Sequence, residues 1–219
     1  TQLRFLEAHT ETHYKDMSLL HALGWRAAYH GLIPKDYLDR EILDDRWVPF
    51  FHDNCGTGKL QGLILYDGEH PLCCGVYGPV RTELQPKGLP SLAQWGELVS
   101  LYVHPAHWRS GYGSLLLREI LARLKREGYP GCFLYVLQEN SRARRFYEKH
   151  DFTWDGYGIK VSLSPDTHGI IYVSLPPDTH GSTYAPFSLS GSRWTMTWVE
   201  DPKACLIFCS MAVAWRWAS

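Results

Sequence analysis

Between Glu97 and Leu137 the chain runs strand, glycine-bearing turn, amphipathic helix, strand, and few folds accommodate that order. Glu97 to Val103 is β-prone, and Gly111-Tyr112-Gly113 then interrupts the chain. From Gly113 to Glu127, Leu117, Ile120, Leu121 and Leu124 recur at helical spacing, with Arg118, Arg123, Lys125 and Arg126 off that stripe. A 3.6-residue period marks one buried helix face, and a basic last turn followed by Gly128 is a good helix end. Cys132 to Leu137 is apolar almost without a break, as expected of a strand covered on both faces. Two strands joined through a helix of this length lie parallel, and the crossover is right-handed. The chain is therefore expected to be α/β, a central mixed sheet flanked by helices.

The flanking segments supply the rest of the sheet. Gln2 to Glu7 reads as a first strand, and Glu11 to Ala28 as a helix carrying Leu19, Leu20, Leu23 and Ala27. Gly31 and Pro34 end that helix, and Asp36 to Trp47 reads as a second one. Gln61 to Tyr66 and Leu72 to Val80 are β-rich and joined by Asp67-Gly68, a hairpin turn signal. A Pro- and Gly-rich loop spans Thr82 to Gln94, and Ser141 to His150 is a short polar helix.

Composition removes several classes of function. Lys plus Arg number 22 and Asp plus Glu 23, a formal net charge of -1. Nucleic-acid binding, which rests mainly on phosphate contacts, is not expected of so balanced a chain. Apolar residues make up 45% of the chain, which excludes general disorder. No run reaches the ~18 apolar residues of a spanning helix, so no membrane partner is expected. The six cysteines include no CxxC pair, which suggests reduced thiols. With no secretory segment legible, a cytoplasmic location is the expectation.

The turn after Val103 is where chemistry is expected. A strand that feeds a glycine turn and a helix N-terminus forms an anion cradle. The first-turn N–H groups point outward, the helix dipole favours negative charge, and glycine admits a phosphate close to the backbone. Gly-Tyr-Gly before a helix is a weak signal by itself, equally consistent with a plain turn.

Three segments together carry more. Val103-His104-Pro105-Ala106-His107-Trp108-Arg109-Ser110-Gly111-Tyr112-Gly113 resembles the acetyl-CoA-binding motif of the GNAT acetyltransferase superfamily, V-x-P-x-x-(Q/R)-x-x-G-x-(G/A), through Val103, Pro105, Gly111 and Gly113. Asn140 to Phe152 resembles that superfamily's N-x-x-A-x-x-F-Y-x-x-x-G-F. Trp25-Arg26-Ala27-Ala28-Tyr29-His30-Gly31-Leu32-Ile33-Pro34 is similar to a W-x-x-A-Y-x-G-x-x-P signature of one bacterial branch. The resemblance covers roughly residues 2 to 160. It departs at Trp108, where Gln or Arg is usual, and at Asp151, where glycine is usual before Phe152.

The resemblance implies a GNAT-type N-acetyltransferase, with acetyl-CoA as cosubstrate and no metal. The acetyl group would pass directly to a primary amine on a small molecule or peptide, without an acyl-enzyme. Cofactor contacts are expected from Leu101, Val103, Trp108, Arg109, Ser110, Gly111, Tyr112, Gly113 and Ser114, and from Asn140 on the pantetheine arm. An alkylammonium with a pKa near ~10 must lose a proton before it attacks. Glu97 matches the family's general base, a backbone N–H near Leu101 would stabilise the thioester oxygen, and Tyr147 matches the general acid for the departing thiolate. Trp25 and Tyr29 are candidates for the acceptor pocket.

Each role has a plainer rival. Tyr147 beside Phe146 also suits packing, Glu97 an exposed strand edge, Trp25 and Tyr29 the core of the first helix, and Asn140 a helix cap. Arg142, Arg144 and Arg145 suit a solvated face, with a CoA phosphate contact as the alternative for one of them. A non-catalytic acyl-CoA-binding module is the functional rival, and a homodimer would suit either reading.

After about Lys160 the character changes. Val161-Ser162-Leu163-Ser164-Pro165-Asp166-Thr167-His168-Gly169 recurs as Val173-Ser174-Leu175-Pro176-Pro177-Asp178-Thr179-His180-Gly181. The expected organisation is an acetyltransferase domain over 1–160 and an atypical extension over 161–219, completing the sheet or appended to it. Gly56-Thr57-Gly58-Lys59 resembles a nucleotide loop, but Asp53 stands where its first glycine is required and no helical pattern follows.

Overall fold

The computed structural model describes residues 2–81 and 93–153 in full, and the backbone of 157–164, 167–173 and 215–216. The loop from Thr82 to Gln94 lies almost wholly outside the described residues, as does the second copy of the repeat after Val173.

Six strands form one sheet in the order β1-β2-β3-β4-β5-β9: β1 (Leu3–Glu7), β2 (Gln61–Asp67), β3 (His70–Pro79), β4 (Gly96–Val103), β5 (Gly131–Phe133) and β9 (Trp215–Arg216). The pairs β1–β2, β2–β3 and β3–β4 are antiparallel, and β4–β5 is the parallel crossover expected from the sequence. A second sheet holds β6 (Tyr135–Leu137), β8 (Thr167–Val173) and β7 (Tyr157–Ser164), in the order β6-β8-β7. The helices are α1 (Glu11–Ala28), α2 (Lys35–Glu41), α3 (Val48–Asn54), α4 (Tyr112–Arg126) and α5 (Ser141–Glu148).

Two expectations change. The apolar run Cys132 to Leu137 is not one strand: it breaks at Leu134, where β5 leaves β4 and β6 takes β8 as partner. The segment Asp36 to Trp47 is not one helix: α2 stops at Glu41, and a separate α3 begins at Val48 with Pro49 in its first turn. The change of character near Lys160 falls inside β7. The first copy of the repeat closes the β7–β8 hairpin, with Ser162 opposite His168 and Ser164 opposite Thr167.

Helix α1 begins at Thr10, whose hydroxyl accepts from the His13 N–H at 3.3 Å. Its buried face is Tyr14, Met17, Ser18, Leu20, His21, Ala22, Gly24 and Trp25; of the expected Leu19, Leu20, Leu23 and Ala27 only Leu20 is fully buried, the other three being half-buried beside that face. Gly24 explains the close approach to the sheet: a Cβ there would stand 2.4 Å from Tyr102 Cδ1, in a ring packed 4.4 Å from the His21 ring. Gly24→Ala is therefore expected to destabilise the protein by about 1–3 kcal/mol, as overpacking of a filled core does; a urea midpoint equal to wild type would refute this. Helix α4 packs on the opposite face of the sheet and buries Leu116, Leu117, Ile120, Leu121 and Leu124, which includes the predicted stripe.

Strand β4 carries a bulge. Val76 lies opposite Ser100 but Tyr77 lies opposite Leu98, so Val99 is the extra residue. Its pairing with β5 covers only Gly96↔Cys132 and Glu97↔Phe133, after which the strands diverge. No helix among the described residues is long and apolar enough to cross a membrane. Among them, Cys55, Cys73, Cys74 and Cys132 are buried and unbridged.

Candidate active site

Where β4 leaves β5, a narrow cleft of about 50 Å³ opens. Leu98, Ser100, Leu101 and Tyr102 form one wall; Leu134, Tyr135 and Val136 form another; Asn140 at the N-cap of α5, Ala143 and Tyr147 within it, and Tyr29 at the C-cap of α1 close it. A larger hollow of about 460 Å³ lies over the α1–α2 turn, lined by His30 to Lys35 and Leu38. It is an open depression that holds none of the predicted catalytic or cofactor residues, and the narrow cleft is the better site.

Next to the cleft lies the turn into α4. A short 3-10 segment, Pro105–His107, leads to Arg109 at φ 69° and Gly111 at φ 87°, both left-handed. Glycine at 111 relieves that backbone strain, since a Cβ there would meet nothing within 4 Å. At Gly113 the reason is space: a Cβ would lie 3.1 Å from Val103 and 3.5 Å from Phe146. No side chain caps α4, so the N–H groups of Tyr112, Gly113 and Ser114 have no partner within the helix. A Cβ-free, left-handed approach to an uncapped helix end fits an anionic diphosphate. Arg109, Ser110 and Gly111 are exposed at its mouth.

Side chains around the turn fix its shape. The Trp108 indole N–H donates to the Val103 carbonyl at 3.0 Å, and the Arg142 guanidinium lies over the Trp108 ring at 3.8 Å. The departure at 108 thus has a structural use: the indole ties the turn to β4 and carries the first turn of α5. Ser114 Oγ lies 2.8 Å from His150 Nε2, and burial, with Arg118 and Lys149 nearby, depresses the His150 pKa. Asp151 stands at φ 63°, so the residue in the usual glycine position does adopt the left-handed conformation. Of the three arginines on α5, Arg144 donates to the Gln138 carbonyl at 3.3 Å and pairs with Glu148 at 3.9 Å.

The predicted catalytic residues fare differently. Tyr147 is 9% exposed at the cleft wall, packed 5.1 Å from Phe146 and 5.7 Å from Phe152. Burial chiefly, then Tyr29 and Cys132, raises its pKa, so the phenol keeps the proton an acid needs. Asn140 lines the cleft and also caps α5, its Oδ1 accepting from Ala143 N at 3.1 Å. Glu97 is not an exposed edge carboxylate: it is 1% exposed, and Arg81 donates to it from the backbone N–H at 3.0 Å and from Nε at 3.1 Å, with Nη2 closing the pair. It does not line the cleft. Tyr29 does, whereas Trp25 packs in the core, its ring 4.5 Å from Tyr29 and 5.9 Å from Trp47.

Sequence reasoning missed Arg81, Ser100 and His21. Ser100 lies within the analysed strand, but nothing local distinguishes it; only the fold brings it to His21, 2.9 Å away. The nucleotide-loop resemblance ends here too: Gly58 sits in a turn that leads into β2, not into a helix.

An uncapped helix behind a left-handed glycine, beside two parallel strands that part over a tyrosine, is the arrangement the three motifs imply. The profile of the acetyltransferase (GNAT) family matches residues 22–152, more than half of the chain. The chain belongs to the GNAT acetyltransferase family. The uncharacterised N-acetyltransferase YuaI of Bacillus subtilis is 28% identical over 128 residues, which are 58% of this chain and 67% of that protein. Among solved structures, PaiA N-acetyltransferase of Thermoplasma acidophilum, in complex with coenzyme A, superposes with a TM-score of 0.57 at 16% identity, covering 78% of this chain and 98% of that one. YncA of Salmonella typhimurium with its cofactor acetyl-CoA gives 0.54 at 18% identity, covering 78% and 92%. At such identities the superpositions establish the GNAT fold, and the family membership rests on the sequence match.

Proposed function

We propose that this acetyltransferase moves an acetyl group from acetyl-CoA to a primary amine of a small molecule or peptide by direct attack. The observation that carries the proposal is the cleft itself, where Leu101, Asn140, Tyr147 and Tyr29 meet next to the uncapped end of α4. Acetyl-CoA, when bound, supplies an activated acyl group on a thiol leaving group.

This chain's residues then have definite tasks. The amides of residues 111–114 hold the diphosphate, with Val103, Trp108, Arg109 and Ser110 shaping and bordering the turn. Asn140 reaches the pantetheine arm through its amide nitrogen, since its oxygen caps α5. The N–H at Leu101 faces the growing negative charge on the acyl oxygen. Tyr147 donates a proton to sulfur as the carbon–sulfur bond breaks and the carbon–nitrogen bond forms. Tyr29 borders the space the acceptor occupies.

Glu97 is the proposed proton acceptor, acting through water. Its oxygens already accept from Arg81, so the role requires Arg81 to yield one of them to a bridging water as the amine enters. Glu97→Gln is expected to lower kcat/KM by about tenfold near neutral pH, with the defect shrinking as the pH rises and more amine arrives deprotonated. A defect that stays constant with pH would remove Glu97 from the proton path. The reaction is tested by calorimetry with acetyl-CoA followed by an amine panel read through released thiol. Binding without thiol release from any amine would make the chain a non-catalytic acyl-CoA-binding module instead.

A further inference from the structure

At the cleft wall lies a buried polar pair that the proposed reaction leaves without a task. Ser100 is 3% exposed and forms part of the β4 wall, and His21 of α1 is 1% exposed behind it. His21 Nε2 lies 2.9 Å from Ser100 Oγ, and Nδ1 lies 2.8 Å from the Met17 carbonyl oxygen. A carbonyl has no proton to give, so Nδ1 carries the hydrogen and donates it. The Cys74 thiol, 3.5 Å from Nδ1 and 3.8 Å from the same carbonyl, does not alter that assignment. The ring is clamped by Tyr102 at 4.4 Å, Phe51 at 5.0 Å and Trp47 at 5.6 Å.

With Nδ1 protonated, a neutral imidazole has a bare Nε2, which can only accept. Ser100 must then give its one hydroxyl proton to His21, and its oxygen turns only lone pairs toward the cleft. Burial keeps His21 neutral, its pKa pushed down to about 3, which also makes it a poor proton acceptor and unsuited to activate Ser100 as a nucleophile.

We propose that Ser100 is a positioning residue for the acceptor: locked by His21 into an acceptor-only state, its oxygen takes one N–H of the attacking amine and aims the nitrogen lone pair at the acyl carbon. This deepens the proposed reaction and rests on it. Once the ammonium proton has gone to Glu97, a primary amine has two N–H bonds: it gives up one after attack, as the amide forms, and keeps the other on Ser100 throughout, whereas a secondary amine must release its only one and leaves Ser100 unpaired. The pair therefore selects primary over secondary amines.

The test compares kcat/KM for matched primary and secondary amines in wild type and Ser100→Ala, with acetyl-CoA affinity measured by calorimetry. The variant should lose about tenfold on primary amines, the value of one hydrogen bond, and little on secondary ones, so the preference collapses by about tenfold. A packing defect would lower both alike, and an unchanged ratio overturns the proposal while leaving the acetyl transfer intact. The nitrogen-15 shifts of His21 in the whole protein supply a readout independent of turnover: Nε2 unprotonated at neutral pH supports the lock, and Nε2 protonated overturns it. A wild type that binds acetyl-CoA but acetylates no amine overturns this proposal and the reaction together.

Discussion

Replacing Tyr147 with Phe will lower kcat by about a hundredfold or more while leaving the affinity for acetyl-CoA nearly unchanged. The substitution removes one oxygen and keeps the ring that packs between Phe146 and Phe152, so folding should survive. The raised pKa sets the sign. Burial makes the phenolate costly, so the hydroxyl is still protonated when the thiolate begins to leave. Because the phenol titrates above the ordinary tyrosine range, activity should not fall on the alkaline side near pH ~10 through this group. Stopped assays of released thiol, with calorimetry for binding, check the prediction. Equal kcat for the two proteins would show that sulfur leaves without help from Tyr147.

The second large effect is on stability in acid. The His21 pKa falls from 6.5 to about 3 in the folded chain, first through burial and against the backbone bond to Met17. A depressed folded pKa means that the unfolded chain binds a proton the native one refuses. The stability due to neutral His21 is complete above pH ~6.5 and is lost as the pH falls toward ~3, at about 1.4 kcal/mol per pH unit. Summed over that window the loss is about 5 kcal/mol, a large share of a typical domain's margin. His21→Gln should start less stable at neutral pH yet show a shallower decline between about pH 6.5 and 5, above the range where most carboxylates titrate. Urea unfolding at stepped pH measures both slopes; parallel slopes would mean that His21 charges freely in the native state.

The sheet and the turn into α4 were largely legible, and the reasons are local. Leu117, Ile120, Leu121 and Leu124 mark a helix face by spacing alone, and Gly111 marks a left-handed residue because few others adopt that backbone cheaply. What the sequence concealed is a matter of partners. The run Cys132 to Leu137 announces burial but not that its two halves bind different strands. Glu97 and Arg81 lie 16 residues apart, and His21 and Ser100 lie 79 apart, with no period to connect them. Trp25 and Tyr29 look equivalent in the chain and are equally buried, yet only Tyr29 borders the cleft: it is the C-cap just past α1, while Trp25 packs against Trp47. The buried face of α1 is likewise hidden in the chain: Gly24, which lets Tyr102 approach, and the polar Ser18 and His21 share it with Leu20.

The parting of β4 from β5 has a consequence for solubility as well as for chemistry. Past Glu97, the flank of β4 turned toward β5 has lost its ladder, and peptide groups in that state will pair with any extended chain they meet. Here they lie at the bottom of a V walled by residues 134–136 and by α5. Another protein's sheet is too thick to enter; a single slender, extended molecule is not. The same geometry that would invite aggregation on an open surface becomes, inside the wedge, a gauge that admits guests by width.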